Sequence, residues 1–417
     1  MNILLGVSGG IAAYKACEIV RALKKRGDAV RVIMTRGAQE FVRPLTLQVL
    51  SENPVGTDIF DASYESEIGH IDLARWADIV LVAPATADLI GKLAGGLADD
   101  LLTTVLLATR APVLLAPSMN TQMWFHPMVQ RNLDILQEVA GYHVVSPDSG
   151  ELACKEVGPG RLPDAPVVLQ FLDRAGAPQL LAGKSVLIAA GPTREYIDPA
   201  RFISNPSSGR MGFALARAAW VLGADVTLVS GPSALANPPG VRAVAVESAL
   251  QMHAAVMDEA GRADFVCMCA AVADIRPAEA AAQKREKASL SSSLALVRNP
   301  DILAELGQLY GALAPDSGGD EGEPESGPFL IGFAAETHDV VARASAKRLR
   351  KGADMIVANQ IGGAASAFGA TSSKITVISA EETLDFGPAT KEALAVDIWR
   401  VAVRLAGASP TLGSEKS

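Results

Sequence analysis

Residues 191–212, with the sequence GPTREYIDPARFISNPSSGRMG, concentrate glycine, serine and arginine in one connecting segment. The apolar run SVLIAA precedes this segment, and the pattern of a helix follows it. A strand, a glycine-rich turn and a helix direct backbone N–H groups and a helix N-terminus at a phosphate. Asn205 lies where the segment approaches the helix. The pattern predicts an anion pocket; the alternative is a solvated connector, for which 22 residues is long.

The N-terminus repeats this arrangement. Ser8, Gly9 and Gly10 form a turn between an apolar run at 2–7 and a predicted helix at 11–26. A turn of this kind is a weak signal by itself, because ordinary tight turns between strand and helix have the same composition. The repetition is more informative, since it indicates that a nucleotide-binding fold begins twice along the chain.

Polar residues also follow three further predicted strands in the first half, at 30–34, 79–83 and 113–116. The residues at these strand ends are Thr35, Thr86 and Asn120. Because the carboxyl ends of parallel strands border a crevice, the Thr35 hydroxyl could meet a ligand there. Each of the three has a plainer alternative as the N-cap of the next helix.

Three other residues of the first half could take part in chemistry. His70 and Arg75 lie in the polar segment GHIDLARWAD, where the histidine is either a functional group or a surface residue and the arginine could hold a substrate anion. Cys154 lies in a loop rich in glycine and proline, and long loops of this kind often close over sites. This cysteine is a candidate acid or nucleophile, or an incidental small residue.

In the second half, charged groups again follow predicted strands. Asp274 comes just after the apolar run at 264–270, and a short basic stretch begins at Lys284. Lys347 and Lys351 are four residues apart and therefore share one face of a predicted helix. The basic stretch at Lys284 either contacts phosphate or forms a solvated surface.

Composition limits the possible classes of protein. Aromatic residues make up only 5% and hydrophobic residues 49%, so the cores should consist of Ala, Val, Leu and Ile, as in parallel α/β sheets. A net charge of −9 argues against broad nucleic-acid binding. The four cysteines show no CxxC spacing, which favours a reduced, cytoplasmic compartment. Neither a signal peptide nor a membrane-spanning run is predicted.

The domain organisation follows from these signals. A chain of 417 residues is long enough for two domains with separate cores. The small-residue stretch AGAPQLLAG places the boundary near residue 180 and predicts domains at 1–180 and 181–407. Residues 314–328 (APDSGGDEGEPESGP) and the tail 408–417 are predicted to be disordered.

The strings GVSGGIAAYK, GHIDLARWAD, APATAD, PSMNTQMW and GELACKEVGPGR closely resemble the flavin-dependent phosphopantothenoylcysteine decarboxylases in order and spacing. The resemblance implies a flavoprotein-type doubly wound parallel sheet. It implies FMN contacts from Ser8, Gly9, Gly10, Thr35, Pro84, Thr86 and Ser118. Asp88 stands where the family usually has Asn, and Leu162-Pro163-Asp164 replaces the usual Met-x-Glu.

The decarboxylation that the resemblance implies explains why a flavin, a base, a proton donor and a carboxylate-binding group are needed. A cysteinyl carboxylate has no neighbouring carbonyl, so loss of carbon dioxide needs an electron sink, which flavin-dependent oxidation of the thiol to a thioaldehyde supplies. The resemblance implies that His70 is the base and that Cys154 returns a proton. It also implies that Asn120, with Arg75 and Met123 nearby, holds the carboxylate.

The strings GPTREYIDPARFISNPSSGRMG, AAVAD, NPDI, GFAAET and KRLRK closely resemble the phosphopantothenate–cysteine ligases. The resemblance implies a second Rossmann-like, nucleotide-binding α/β domain. In the implied reaction, CTP activates the carboxylate of 4'-phosphopantothenate as an acyl-CMP with release of pyrophosphate, and the amine of cysteine then attacks. Asn205 is implied at the acyl-cytidylate, and Mg²⁺ is implied on the triphosphate, bound mainly through phosphate oxygens. The implied CTP contacts are Met268, Cys269, Ala270, Asp274, Lys284, Asn299, Pro300, Asp301, Ile302, Phe333, Lys347 and Lys351.

Together the two resemblances imply a bifunctional enzyme of coenzyme A biosynthesis whose partners are small molecules. Decarboxylases of this kind form trimers with FMN at the subunit interface and the ligases form dimers, which implies a homo-oligomer, up to a dodecamer. Two alternatives stay open: a flavin-dependent enzyme acting on another substrate for decarboxylation or prenyl transfer, and a non-catalytic flavin-binding regulatory subunit.

Overall fold

The computed structural model describes residues 1–60, 69–153, 155–284, 286, 293–311, 313, 327–360 and 372–407. Cys154, most of the predicted insertion at 314–328 and all of the tail at 408–417 lie outside these residues. The chain divides into two compact units, Met1–Ala177 and Pro178–Ser417. Among the described residues, no helix combines the length and apolar composition needed to cross a bilayer.

The first unit is built on a six-stranded parallel sheet with the order β3-β2-β1-β4-β5-β6. Its strands are β1 (Asn2–Val7), β2 (Ala29–Met34), β3 (Val55–Gly56), β4 (Ile79–Ala85), β5 (Val113–Pro117) and β6 (His143–Val144). An antiparallel hairpin follows, formed by β7 (Asp148–Glu151) and β8 (Val157–Arg161). We call this element the 148–161 hairpin.

Helices cover both faces of this sheet. They are α1 (Lys15–Arg26), α2 (Arg36–Gln39), α3 (Pro44–Ser51), α4 (His70–Trp76), α5 (Ala87–Ala94), α6 (Leu101–Ala108), α7 (Thr121–Trp124), α8 (Pro127–Glu138) and α9 (Ala165–Gly176). The side chains of β1 alternate between two buried clusters, with Ile3 and Leu5 in one and Leu4 in the other. The predicted doubly wound class is therefore confirmed. The predicted helix at 11–26 begins as a 3-10 turn, Ile11–Tyr14, before α1.

The second unit contains an eight-stranded sheet with the order β13-β12-β9-β14-β17-β18-β19-β20. Its strands are β9 (Ser185–Ala190), β12 (Asp225–Ser230), β13 (Arg242–Ala245), β14 (Phe265–Met268), β17 (Phe329–Glu336), β18 (Met355–Gln360), β19 (Ser373–Ile378) and β20 (Thr383–Ala389). The first six of these pair in parallel, whereas β19 and β20 pair antiparallel at one edge. Its helices are α10 (Arg210–Val221), α11 (Ala249–Ala260), α12 (Ile302–Leu309), α13 (Val340–Lys351) and α14 (Lys391–Leu405).

Two antiparallel hairpins stand outside this sheet. They are β10 (Arg194–Asp198) with β11 (Arg201–Ser204), and β15 (Ile275–Pro277) with β16 (Leu296–Arg298). The glycine-rich segment 191–212 is thus not one loop, because paired strands occupy its first half. Ser204 explains part of this order, since its hydroxyl donates to the Thr193 carbonyl at 2.7 Å across the base of the first hairpin.

Candidate active sites

A cavity of about 980 Å³ lies in the first unit, lined by the turns that follow β1, β2, β4 and β5. The strand order reverses between β1 and β4, which is where open α/β sheets bind ligands. The cavity is at the upper end of the roughly 300–1,000 Å³ typical of sites for small molecules and cofactors. Among its lining residues are Ser8, Gly9, Gly10, Thr35, Thr86, Ser118, Asn120 and Met123. Tertiary structure therefore brings together residues from four turns that are far apart in the sequence.

Ser8 and Pro84 connect two of the turns around this cavity. The buried Ser8 hydroxyl donates to the Pro84 carbonyl at 2.7 Å and accepts from the Thr86 N–H at 3.0 Å. The hydrogen bonds of Ser8 thus fix the turn after β1 to the turn after β4. Pro84, which was predicted to contact FMN, does not line the cavity, and its carbonyl faces Ser8 instead.

The threonines at the strand ends cap helices, as the plainer alternative predicted. The Thr35 hydroxyl accepts from Ala38 N–H at 3.3 Å, and the Thr86 hydroxyl accepts from Leu89 N–H at 3.4 Å. Both threonines also line the cavity, so capping and ligand contact are compatible at these positions. A cap fixes the side chain at the helix start, which is where an anion is stabilised by the free N–H groups.

Gly9 supports binding of a phosphate-bearing cofactor in this cavity. A Cβ on Gly9 would lie 2.6 Å from the Gly37 carbonyl carbon, so the backbones of two turns approach too closely for any side chain. Gly9 and Gly37 both line the cavity, as do Thr35 and Ser118 with their hydroxyl groups. Backbone N–H groups and hydroxyls are suitable donors for a phosphate and for the polar edge of a flavin ring.

The 148–161 hairpin forms another wall of the cavity and is held on two sides. On one side, Ser118 Oγ and Met119 N–H both donate to the Gly160 carbonyl, at 3.1 and 3.0 Å. On the other side, Lys15 Nζ donates to the Leu162 carbonyl at 2.8 Å and to Asp164 Oδ1 at 2.9 Å. The Lys15 ammonium lowers the pKa of Asp164 through this contact. Sequence reasoning did not assign Lys15, whose only signal was its place in the motif GVSGGIAAYK.

Asn120 occupies the junction between the sheet and the hairpin. Its Oδ1 accepts from Gln122 N–H at 2.8 Å, which caps α7, and its Nδ2 donates to Glu156 Oε2 at 2.7 Å. The Asn120 amide thus already binds a carboxylate. Sequence reasoning did not single out Glu156, because an acidic residue in a loop has no distinctive pattern.

The structure does not bring His70 and Arg75 to this cavity. His70 is the first residue of α4 and Arg75 lies in its last turn, and neither residue lines the cavity of its own chain. Cys154 lies outside the described residues. The described residues of one chain therefore do not bring His70, Arg75 and Cys154 together at the cavity.

In the second unit, several of the predicted nucleotide residues lie close together beside the carboxyl end of β14. The Asn299 amide donates to the Ala273 carbonyl at 2.7 Å, and its main-chain N–H donates to the Asp274 carbonyl at 2.9 Å. Arg276 donates to Asn299 Oδ1 at 3.1 Å and to the Arg298 carbonyl at 2.7 Å. Arg276 was not predicted. These bonds fix the exposed Asp274 relative to the segment 299–301.

The two lysines of α13 face this region. Lys347 Nζ donates to the Phe333 carbonyl at 2.7 Å, and Lys351 forms an ion pair with Asp301. Burial lowers the pKa of both ammonium groups, while the nearby Asp274 carboxylate opposes the shift in each. Lys347 and Lys351 thus lie on one face of α13, as predicted, and this face is beside Asp274, Asp301 and Phe333.

The remaining predicted ligase residues differ in what they can offer. The Asn205 amide donates to the Val272 carbonyl at 3.1 Å, which places Asn205 beside the same loop after β14. Burial raises the pKa of Cys269 to about 12, so its thiol is neutral, and Ile302 packs in the core. Lys284 is exposed, and no hydrogen bond or ion pair joins it to another residue in the part of the chain described. Met268 is buried, and Ala270 and Pro300 are half-buried.

Among the described residues, no group of three or more His, Cys, Asp or Glu side chains could hold a metal ion. Asp274 and Asp301 are exposed acidic groups: Asp274 lies near Lys347 and Lys351, and Asp301 forms an ion pair with Lys351.

Comparison with known proteins divides the chain as its two units do. Residues 1–175 match the family model described as Flavoprotein, and residues 181–405 match the model described as DNA/pantothenate metabolism flavoprotein C-terminal domain. The chain is 48% identical to the coenzyme A biosynthesis bifunctional protein CoaBC of Vibrio cholerae, over 94% of this chain and 96% of that protein. It is 46% identical to the protein of the same name from Bacillus subtilis, over 90% of each.

Among solved structures, the first unit is similar to a PPC decarboxylase mutant complexed with pantothenoylaminoethenethiol. The identity is 31% and the TM-score 0.36, over 41% of this chain and 95% of that one.

Proposed function

This chain belongs to the family of bifunctional coenzyme A biosynthesis proteins called CoaBC, and from this membership we propose how its two units divide the chemistry. It is an enzyme of coenzyme A biosynthesis with decarboxylase and ligase activities, and it uses a flavin. We assign the ligase to residues 181–407, which join 4'-phosphopantothenate to cysteine with CTP. We assign the decarboxylase to residues 1–180, which convert the resulting phosphopantothenoylcysteine to 4'-phosphopantetheine.

The observation that supports this assignment best is the composition of the cavity in the first unit. It lies at the reversal of strand order, and its lining joins Ser8–Gly10, Thr35, Thr86 and Ser118 to Asn120 and Met123. We propose that the flavin is FMN and that the turns and hydroxyls hold its phosphate and ring edge. When bound, the flavin supplies reversible two-electron oxidation of the substrate thiol.

The protein's own residues would then control the carboxylate and the protons. The Asn120 amide, oriented by its bond to Gln122 N–H, binds the substrate carboxylate until carbon dioxide leaves, with Met123 beside it. The 148–161 hairpin excludes water from that side of the cavity and carries Cys154, which we propose returns a proton to the reduced product. His70 acts as the base and Arg75 assists in binding the carboxylate.

His70 and Arg75 lie outside the cavity of their own chain, and we therefore propose that a neighbouring subunit supplies them. This arrangement requires an oligomer, with trimers of the first unit around FMN and dimers of the second unit. We propose a cytoplasmic homo-oligomer, up to a dodecamer, with no nucleic-acid or membrane partner.

In the second unit, the lysine pair of α13 would bind the triphosphate of CTP. Lys347 and Lys351 are the cations beside Asp274, and Mg²⁺ on the phosphate oxygens would offset the carboxylates of Asp274 and Asp301. Attack of the 4'-phosphopantothenate carboxylate on the α-phosphorus forms an acyl-CMP and releases pyrophosphate. The amine of cysteine then displaces CMP, with Asn205 positioning the acyl-cytidylate.

One incubation tests both activities. The full-length holoenzyme is supplied with 4'-phosphopantothenate, cysteine, CTP and Mg²⁺, and its products are identified by mass spectrometry. We expect 4'-phosphopantetheine, CMP and pyrophosphate. Phosphopantothenoylcysteine without phosphopantetheine would contradict the assignment of the first unit, and no product at all would favour a non-catalytic flavin-binding subunit. The matched control omits CTP, which should stop both steps unless phosphopantothenoylcysteine is added.

A further inference from the structure

Glu156 contacts the group that the proposed function assigns to the substrate. Its Oε2 lies 2.7 Å from Asn120 Nδ2, although the two residues are 36 positions apart. The Asn120 side chain cannot turn over freely, because its Oδ1 accepts from Gln122 N–H at 2.8 Å and only the oxygen can do so. The amide nitrogen is therefore directed at the Glu156 carboxylate.

The position of Glu156 is also fixed by its backbone. The Glu156 carbonyl accepts from Leu152 N–H at 2.8 Å, and Lys155 N–H donates to the Leu152 carbonyl at 2.8 Å. Lys155 adopts φ +66°, the left-handed region that a tight turn requires. These contacts define the tip of the 148–161 hairpin and place the Glu156 carboxylate beside the cavity wall.

From this geometry we infer that Glu156 is a positioning residue of the decarboxylase, whose carboxylate occupies the Asn120 amide until the substrate carboxylate replaces it. The inference rests on the proposed function of the first unit. Two carboxylates at one neutral amide repel each other, so the substrate and Glu156 exchange rather than share the donor. Loss of carbon dioxide removes the competing carboxylate, and the hydrogen bond from the Asn120 amide to Glu156 then forms again.

This exchange makes a distinction between substrate and product. The substrate carries a carboxylate and must displace Glu156, whereas 4'-phosphopantetheine carries none and leaves the Asn120–Glu156 bond in place. Glu156 therefore weakens binding of the substrate without affecting binding of the product. Glu156, at the hairpin tip, is therefore displaced from Asn120 before decarboxylation and bonded to it afterwards.

The test compares Glu156→Gln with the wild-type holoenzyme. The variant keeps an acceptor oxygen but loses the charge, and hydrogen bonds to charged groups are roughly twice as strong as neutral ones. We expect KM for phosphopantothenoylcysteine to fall about three- to tenfold, with no change in the inhibition constant of 4'-phosphopantetheine. A role in folding alone would move neither constant selectively.

Glu151→Gln is the matched control, because Glu151 also lines the cavity and lies on the same hairpin. It should leave the ratio of the two constants unchanged. The inference is overturned if Glu156→Gln leaves KM unchanged, if it shifts both constants together, or if Glu151→Gln gives the same shift. A wild-type holoenzyme that binds FMN but does not convert phosphopantothenoylcysteine would instead refute the proposed function itself.

Discussion

The Lys15 ammonium lies 2.9 Å from Asp164 Oδ1, so the start of α1 is tied to the segment that leaves the 148–161 hairpin. The same ammonium donates to the Leu162 carbonyl at 2.8 Å. One side chain therefore connects the start of α1 to the segment that leaves the hairpin.

We expect Lys15→Met to weaken flavin retention and decarboxylation while the ligase activity stays unchanged. The Leu162 carbonyl would lose its donor, which costs about 1–3 kcal/mol for a buried group. Flavin absorbance per chain and the two activities, measured on the same preparation, check this expectation. Asp164→Asn is the control: its carboxyl is 76% exposed, so the ion pair should contribute at most about 1 kcal/mol. Equal losses in both variants would contradict the importance of the carbonyl contact.

Gly160→Ala should disrupt the decarboxylase. Gly160 has φ +146°, and a Cβ there would lie 2.1 Å from the Met119 carbonyl oxygen, so the hairpin would have to move away from the turn after β5. We expect loss of decarboxylation with retained ligase activity. Gly96→Ala provides a matched control, since Gly96 also has positive φ but no atom within 4 Å of the added Cβ. Comparable decarboxylation by the two variants would show that the close packing at Gly160 is dispensable.

Asn299→Asp should raise KM for CTP about tenfold, as expected for the loss of one hydrogen bond and the gain of a repulsive contact. The new carboxylate would face the Ala273 carbonyl, which now accepts from the Asn299 amide at 2.7 Å. The loop that carries Asp274 would then shift relative to Lys347 and Lys351. Steady-state kinetics of pyrophosphate release measure KM and kcat separately. Decarboxylation of added phosphopantothenoylcysteine by the same variant serves as the control for folding, and an unchanged KM would refute the role of this contact.

The affinity for CTP should fall as the pH rises, and this fall should begin at a lower pH than it would if Lys347 had the pKa of an ordinary lysine. Burial lowers the pKa of Lys347 from 10.5, so this ammonium loses its charge at a lower pH, and KM for CTP should rise as pH increases through that lowered pKa. Lys347→Arg stays charged throughout this range and should remove the alkaline rise. The measurement is KM for CTP across the alkaline range in both proteins. Identical pH profiles would assign the titration to another group.

Much of the fold was predictable because the local patterns are strong. The buried runs of β1, β4 and β9 each precede a turn and a helix, and their apolar composition identifies them as parallel strands without knowledge of the fold. The glycines of the first turn were recognised for the same reason. The paired strands inside 191–212 were missed, since their residues carry neither a clear alternation nor a continuous apolar run.

The sequence alone determined that this chain contains two α/β units, where the central strands β1, β2, β4, β5 and β9 end and which polar residues follow them, because these features depend on neighbouring residues. Tertiary structure decided which ends meet. It placed Lys15 beside Asp164 across 149 positions, directed Glu156 at Asn120 across 36, and left His70 away from the cavity of its own chain. Such contacts depend on strand order and on how a hairpin packs against a distant turn. Neither is encoded in the periodicity of any single segment.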